Sequence, residues 1–405
     1  MRRTTALLVV LAGLAVPGSA PAASNRPVCP GPASPGHARC HARVVTDTRG
    51  NPLASSGPGS AYGPAQFHGA YGLPTAAPSA QTIAIVDAYD DPSIVRDLNT
   101  YSCYYRLADC PTGTQSAATG SFFTKVNQSG SASGPFPSKN AGWALEIALD
   151  VETAHEICQT CKVVLVEANS SYGSDLDAAE DTAARLGATE ISNSWGTSSE
   201  YAGEVAENTA HFNRPGIAIT VSSGDNGYGA FGFPAASPNV VTVGGTTLNV
   251  TKQPDGSYAY AGETTWSGSG SGCSTTLPAQ AWQISLSNWA QTGCGANRGV
   301  ADVAADADPN TGAAVYDTTR YQGRSGWFRV GGTSLSSPLV AGVYALAGNA
   351  SSQSYPASIA YSNPSALHDV TSGPATGGCG TIMCSAAAGY DGPTGLGSPA
   401  GLGGF

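Results

Sequence analysis

The chain has 405 residues, with 28 acidic against 18 basic side chains and a formal net charge of −10. That balance argues against nucleic acid or an anionic membrane surface as a partner. Only 11% of the residues are charged, and 52 glycines and 27 prolines suit a secreted protein with a weakly charged, Gly/Ser/Thr-rich surface.

In chain order, Arg2-Arg3, the apolar stretch Ala6–Val16 and Ala20-Pro21-Ala22 predict a signal peptide over residues 1–23. The apolar stretch is short for a membrane span, and no later run is long enough. Residues 24–61 are rich in Pro, Gly, Ser and Ala without periodicity, which predicts a loose extension or short prosegment. Order is expected from Tyr62, in one domain over residues 62–405.

Thr82–Val86 reads as a buried strand ending at Asp87, followed by a helix from about Asp91 to Tyr104. Gly142–Ile157 predicts a helix and Val163–Val166 a strand. An Ala-rich helix over Asp175–Leu186 and a strand over Glu190–Ser192 follow, the latter entering Ser194-Trp195-Gly196. Ala202–Phe212 predicts a helix, Ile217–Val221 a strand running into Ser223-Gly224-Asp225, and Val240–Val243 another strand. Short apolar strands alternating with helices predict an α/β fold, a mostly parallel central sheet flanked by helices on both faces. Ligands of such sheets bind beyond the carboxyl ends of the strands. Asp87, the Ser194-Trp195-Gly196 turn and Asp225 all fall there.

The ten cysteines form five sequence-adjacent couples: Cys29/Cys40, Cys103/Cys110, Cys158/Cys161, Cys273/Cys294 and Cys379/Cys384. Nearest-neighbour pairing is the simplest framework for an exported chain, although sequence does not fix connectivity. Cys158-Gln159-Thr160-Cys161 also has the form of a redox or zinc half-site. No second ligand pair lies near it, which favours a local disulfide.

Gly331-Gly332-Thr333-Ser334-Leu335-Ser336-Ser337-Pro338 leads into an apolar helix. A serine there has backbone N–H groups and the positive end of the helix dipole beside it. A serine hydroxyl needs a neighbouring base to act as a nucleophile, yet there are only six histidines, none in a His-Gly-Thr context. His155 lies nine positions from Glu146, on the opposite side of the same helix, and reads as a surface residue. Glu146 and Asp150 are four apart and share a face among apolar neighbours. Such a pair is either an ordinary solvated acidic face or a buried couple whose mutual repulsion raises one pKa, as a general base requires. Asp225 is either a turn aspartate or a site residue.

Taken in order on one secreted α/β chain, Glu146-x-x-x-Asp150, Ser223-Gly224-Asp225 and Gly332-Thr333-Ser334-x-Ser336-x-Pro338 resemble the sedolisin (serine-carboxyl peptidase) family, which shares the subtilisin-like fold. The resemblance runs from about Tyr62 to Pro399. It takes in Ser194-Trp195-Gly196, Phe233-Pro234-Ala235, Val243-Gly244-Gly245-Thr246, Trp266-Ser267-Gly268 and Asp302–Pro309. It implies a serine-type endopeptidase active at acidic pH: Ser334 as nucleophile, Glu146 as general base, Asp150 orienting Glu146 and sharing a proton with it, and a protonated Asp225 in the oxyanion hole. It implies that Ser194, Trp195 and Gly196 pair with the substrate backbone, that Asp87 supports the site structurally, and that protein or peptide substrates are the partners of a monomeric, extracellular enzyme.

It also implies one structural Ca²⁺ site at Asp369, Val370, Ala387, Gly389 and Asp391, an all-oxygen set. Asp306–Gly312 resembles an EF-hand start only superficially and reads as a turn. The family resemblance implies a long folded prodomain, whereas fewer than forty residues separate the signal region from the matching segment. A catalytically silent binding protein on the same scaffold is the alternative. A glycosidase fits less well, since its two carboxylates must stand roughly 5–10 Å apart across a sugar.

Overall fold

The computed structural model describes residues 24–31, 33–34, 36–114 and 122–405. The signal peptide expected over residues 1–23 lies outside them. Seven strands form one continuous sheet in the order Tyr258–Thr265, Val241–Lys252, Ala218–Ser222, Glu190–Asn193, Thr82–Ala88, Lys162–Ala168 and Phe123–Asn127, with Val303–Asp306 also paired to Val241–Lys252. Every pairing is parallel except that between Val241–Lys252 and Tyr258–Thr265. The strands at the centre are β-branched and apolar because both faces are covered; Ile83, Ile85, Ile191 and Val221 are fully buried.

Two helices pack together against this sheet and carry candidate site residues. Ala141–Ile157 begins at Asn140, whose side chain accepts from the N–H groups of Gly142 and Trp143. From Trp143 to Ile157 every residue is buried, so Glu146 and Asp150 do not form a solvated acidic face. Thr333–Ala347 follows Gly332 and is buried from Thr333 to Leu346. His155, expected at the surface, is fully buried as well. It is stacked on Phe122 at 3.9 Å and its Nε2 lies 2.8 Å from Asp109 Oδ1. The helix is covered on every side, so its angular position did not place His155 in water.

A second, antiparallel sheet takes in part of residues 24–61, the segment expected to be a loose extension or short prosegment, which is therefore not loose. Ser24–Pro27, Arg43–Thr46, Arg324–Gly331 and Ala313–Tyr321 pair in that order, with Ala54–Ser55 also on Arg324–Gly331. The physical reason is Arg43-Val44-Val45-Thr46, a short β-branched strand hidden in Pro- and Gly-rich sequence, whose Val44 and Val45 are buried. All five sequence-adjacent cysteine couples are disulfide-bonded.

Candidate active site

Asp87 ends the central strand Thr82–Ala88, and Ser222 ends Ala218–Ser222 just before Asp225. The helix Ala141–Ile157 lays Glu146 and Asp150 against them, and Thr333–Ala347 brings Ser334 in its first turn. Glu146, Asp150, Ser334 and Asp87 are each fully buried, and Asp225 is 6% exposed. The structure therefore brings together all four residues expected to be catalytic, with Asp87 among them.

Burial sets their protonation. The Glu146 carboxyl is pushed well above the ordinary carboxylate range, first by burial and then by the charge of Asp150, while the Ser334 hydroxyl and the Ala42 N–H pull it back. Asp150 is raised by burial and by Asp87, with Ser194 opposing. Asp87 is raised by burial, Glu146 and Glu167. Its two carboxylate oxygens, like both of Asp150 and Oε1 of Glu146, are buried without a hydrogen-bond partner. Burial and mutual repulsion favour the protonated form of all three. Asp87, expected to support the site structurally, lies against the same pair.

Asp225 is pushed up to about 6, by burial first, with Arg43, Thr333 and Arg39 lowering it. Its Oδ1 accepts from the Thr333 N–H at 2.8 Å and the Thr333 hydroxyl at 3.0 Å, leaving Oδ2 buried and unpartnered. Below about pH 6 that oxygen carries a proton to donate. Gly332 sits at φ +97°, and a Cβ on it would stand 2.6 Å from Asp225 Oδ2. Glycine is required there both for the backbone conformation and for the close approach.

Trp195 and Gly196 do form a strand, and the Trp195 indole N–H bonds Val86 O at 2.8 Å, locking it to the central sheet. Its partner is the chain itself: Arg39–Cys40 pairs antiparallel with it. His41 follows, buried over Ser334, with its Nδ1 2.8 Å from Ser222 Oγ. Burial, then Arg39, lowers the His41 pKa to about 3, so the ring is neutral. Sequence reasoning missed Arg39, His41, Arg43 and Ser222. The one available signal was the β-branched run Val44-Val45-Thr46, and it says nothing about the cleft.

At the expected calcium site, Asp369 Oδ2 accepts from the Gly389 N–H and Asp391 Oδ2 from the Ala387 N–H; Asp391 Oδ1 takes the N–H and hydroxyl of Thr394. Asp391 is pushed up to about 7 by burial, then by Asp369, against the bonds from Ala387 and Thr394. Among the described residues no group of three or more His, Cys, Asp or Glu stands together as a metal cluster. Both Asp391 oxygens and Asp369 Oδ2 are thus held by donors of the chain itself, and what speaks for Ca²⁺ is the oxygen chemistry of the residues alone. In Asp306–Gly312, Asp306 Oδ1 accepts from Thr311 and Asp308 Oδ1 from Asn310, which makes it a closed turn.

Fold and cluster define a subtilisin-like α/β protein with a buried serine among buried carboxylates. The sequence matches the subtilase family (Peptidase_S8) over residues 137–370. The chain belongs to that family, in its sedolisin branch. It is 35% identical over 212 residues to sedolisin of Pseudomonas sp. (strain 101), covering 45% of this chain and 33% of the relative. It is 31% identical over 296 residues to kumamolisin of Bacillus sp. (strain MN-32), covering 64% and 49%. This chain thus spans between a third and a half of the length of these relatives. The solved structure of Pseudomonas sedolisin, a serine-carboxyl proteinase complexed with two molecules of pseudo-iodotyrostatin, superposes with a TM-score of 0.65 at 28% identity, covering 86% of this chain and 96% of that one.

Proposed function

We propose that this chain is a secreted serine-carboxyl endopeptidase that hydrolyses proteins or peptides in acid. The observation that carries the reading is the burial of Ser334 with Glu146, Asp150 and Asp225 in one cluster whose carboxyls are all pushed towards the protonated form.

In this reading Ser334 Oγ attacks the scissile carbonyl while Glu146 takes its proton, and Asp150 and Asp87 spread the charge that Glu146 would otherwise hold alone. Asp225 donates through Oδ2 to the oxyanion, with the Ser334 N–H at the helix start as second donor. Collapse returns the proton from Glu146 to the leaving amine. Water then hydrolyses the acyl-enzyme by the reverse relay. The Trp195–Gly196 edge holds the substrate as an added strand. Asp369 and Asp391, with the carbonyls of Val370, Ala387 and Gly389, would hold a Ca²⁺ that neutralises the loop and fixes its shape.

Ser334→Ala and Glu146→Gln test the mechanism on an unfolded protein across about pH 3 to 7, where carboxylates titrate. Each is expected to lose at least about 10³-fold in kcat. Full activity in either variant would sink it. A binding protein on the same scaffold would cleave nothing at any of these pH values.

A further inference from the structure

Ser334 has no exposed surface because the chain covers it. The cover is a strand laid along the Trp195–Gly196 edge, with Arg39 opposite Gly196 and Cys40 opposite Trp195. The next residue continues the pattern: the His41 N–H points at Ser194 O at 3.1 Å and at Ser334 Oγ, also at 3.1 Å. Two bonds further along the backbone is the His41 carbonyl carbon. The carbonyl oxygen lies at Gly332, on the side of Asp225 Oδ2. A Cβ on Gly332 would stand 2.1 Å from that oxygen and 2.6 Å from Asp225 Oδ2, so both atoms converge on one spot at the head of the serine helix.

The other side of the same peptide bond is equally specific. The Ala42 N–H donates to Glu146 Oε2 at 3.1 Å. The nitrogen that would depart as an amine is already hydrogen-bonded to the carboxyl that would protonate it. Nucleophile, oxyanion donor and leaving-group acid therefore surround a single bond of this chain. The His41 side chain fills a buried recess beside Ser222 and Gly196 as a neutral ring.

We propose that His41–Ala42 is a self-processing site: the enzyme's first substrate is its own peptide bond, cut intramolecularly, and residues up to His41 are a product that must leave the cleft before another polypeptide can enter. The inference rests on the proposed peptidase activity. The step balances as an ordinary hydrolysis. Ser334 Oγ adds to the His41 carbonyl carbon and its proton passes to Glu146. The C–N bond breaks as Glu146 protonates the Ala42 nitrogen. Water then cleaves the ester, leaving a carboxylate on His41 and a new amino terminus at Ala42.

The connectivity allows departure. Both ends of the Cys29–Cys40 disulfide lie upstream of the bond, so it closes a ring within the product and does not tether it to the enzyme. Among the described residues, what then holds the product is non-covalent: the pairing of Ser24–Pro27 with Arg43–Thr46 and of Arg39–Cys40 with Trp195–Gly196. Downstream, Arg43–Thr46 stays anchored on Arg324–Gly331.

The test takes the full secreted chain, its disulfides formed, and follows intact mass and amino-terminal sequence in parallel with hydrolysis of an added unfolded protein, from about pH 3 to 7. The wild type is expected to acquire Ala42 as its amino terminus at a rate independent of protein concentration, and hydrolysis of the added protein follows that cut. Ser334→Ala stays uncut. Ala42→Pro, which removes the N–H given to Glu146, also stays uncut. Hydrolysis of the added protein with the 41–42 bond intact overturns the self-processing site and leaves the peptidase reading standing. So does a cut at another bond, or a rate that rises with concentration. No cleavage of either the chain or the added protein overturns both.

Discussion

Glu156 lies at the far end of the carboxylate helix and takes no part in the proposed chemistry. It is fully buried; its Oε2 accepts from the Tyr101 hydroxyl at 2.6 Å and its Oε1 has no partner. Burial pushes its pKa from 4.5 to about 8, against the Tyr101 bond. Below pH 4.5 both folded and unfolded chains hold this proton. Above it the unfolded chain releases the proton while the folded chain keeps it to about pH 8, so stability falls with rising pH across that window. Between pH 4 and pH 7 this one group should cost about 3 kcal/mol. Glu156→Gln keeps an acceptor for Tyr101 and abolishes the titration. The unpaired amide carries its own penalty, but that penalty does not change with pH. In a Ser334→Ala background, which suppresses self-digestion, urea unfolding followed by tryptophan fluorescence would give the difference between variant and parent at each pH. The variant should gain about 3 kcal/mol relative to its parent on going from pH 4 to pH 7. A difference that stays flat across this range would refute the claim that Glu156 enters the fold protonated.

Asp225→Ala should lower kcat by about 10²–10³-fold, as expected for loss of one oxyanion donor. Asp225→Asn, a donor at every pH, should retain more activity than the alanine variant and weaken the decline that wild type shows as Asp225 ionises above about pH 6; a pH–rate profile unchanged by Asn would place the oxyanion donor elsewhere. For calcium, chelation with EDTA should lower the melting temperature of the wild type and not that of Asp369→Asn/Asp391→Asn, with restoration of the wild type by Ca²⁺ alone. Equal melting with and without chelator would remove the metal from this loop.

The sheet and the paired carboxylates of the candidate site were legible because they are local. Apolar runs such as Thr82–Val86 and Ile217–Val221 announce buried parallel strands, and two acids four apart must share a helix face. What burial did to that face was not legible. The helix Ala141–Ile157 is closed off by the serine helix, by Thr82–Ala88 and by Ala313–Tyr321, and these neighbours come from distant parts of the chain. The same blindness put His155 in water. It also hid the order in residues 24–61, because Arg43–Thr46 pairs with Ser24–Pro27 on one side and with Val330 and Gly331, far along the chain, on the other. A four-residue segment between Pro- and Gly-rich stretches carries no sign of so distant a partner.

One physical cause links the fold to the chemistry. Glu156, Glu180 and Glu190 are all fully buried and pushed up to about 8, each by burial first. None of them needs a cation in the core as long as each keeps its proton. Glu146, Asp150 and Asp87 obey the same rule at the site, where the proposed relay needs a retained proton. In that proposal raising the pH acts twice, taking protons from the buried acids of the core and from those of the relay. Glu146→Gln should separate the two effects, since it ends the chemistry and leaves Glu156, Glu180 and Glu190 to titrate. If its stability still falls from pH 4 to pH 7 as steeply as that of Ser334→Ala, the pH dependence of the fold belongs to the buried acids outside the site. If the fall is largely abolished, the catalytic cluster is itself the main pH-sensitive element of the fold.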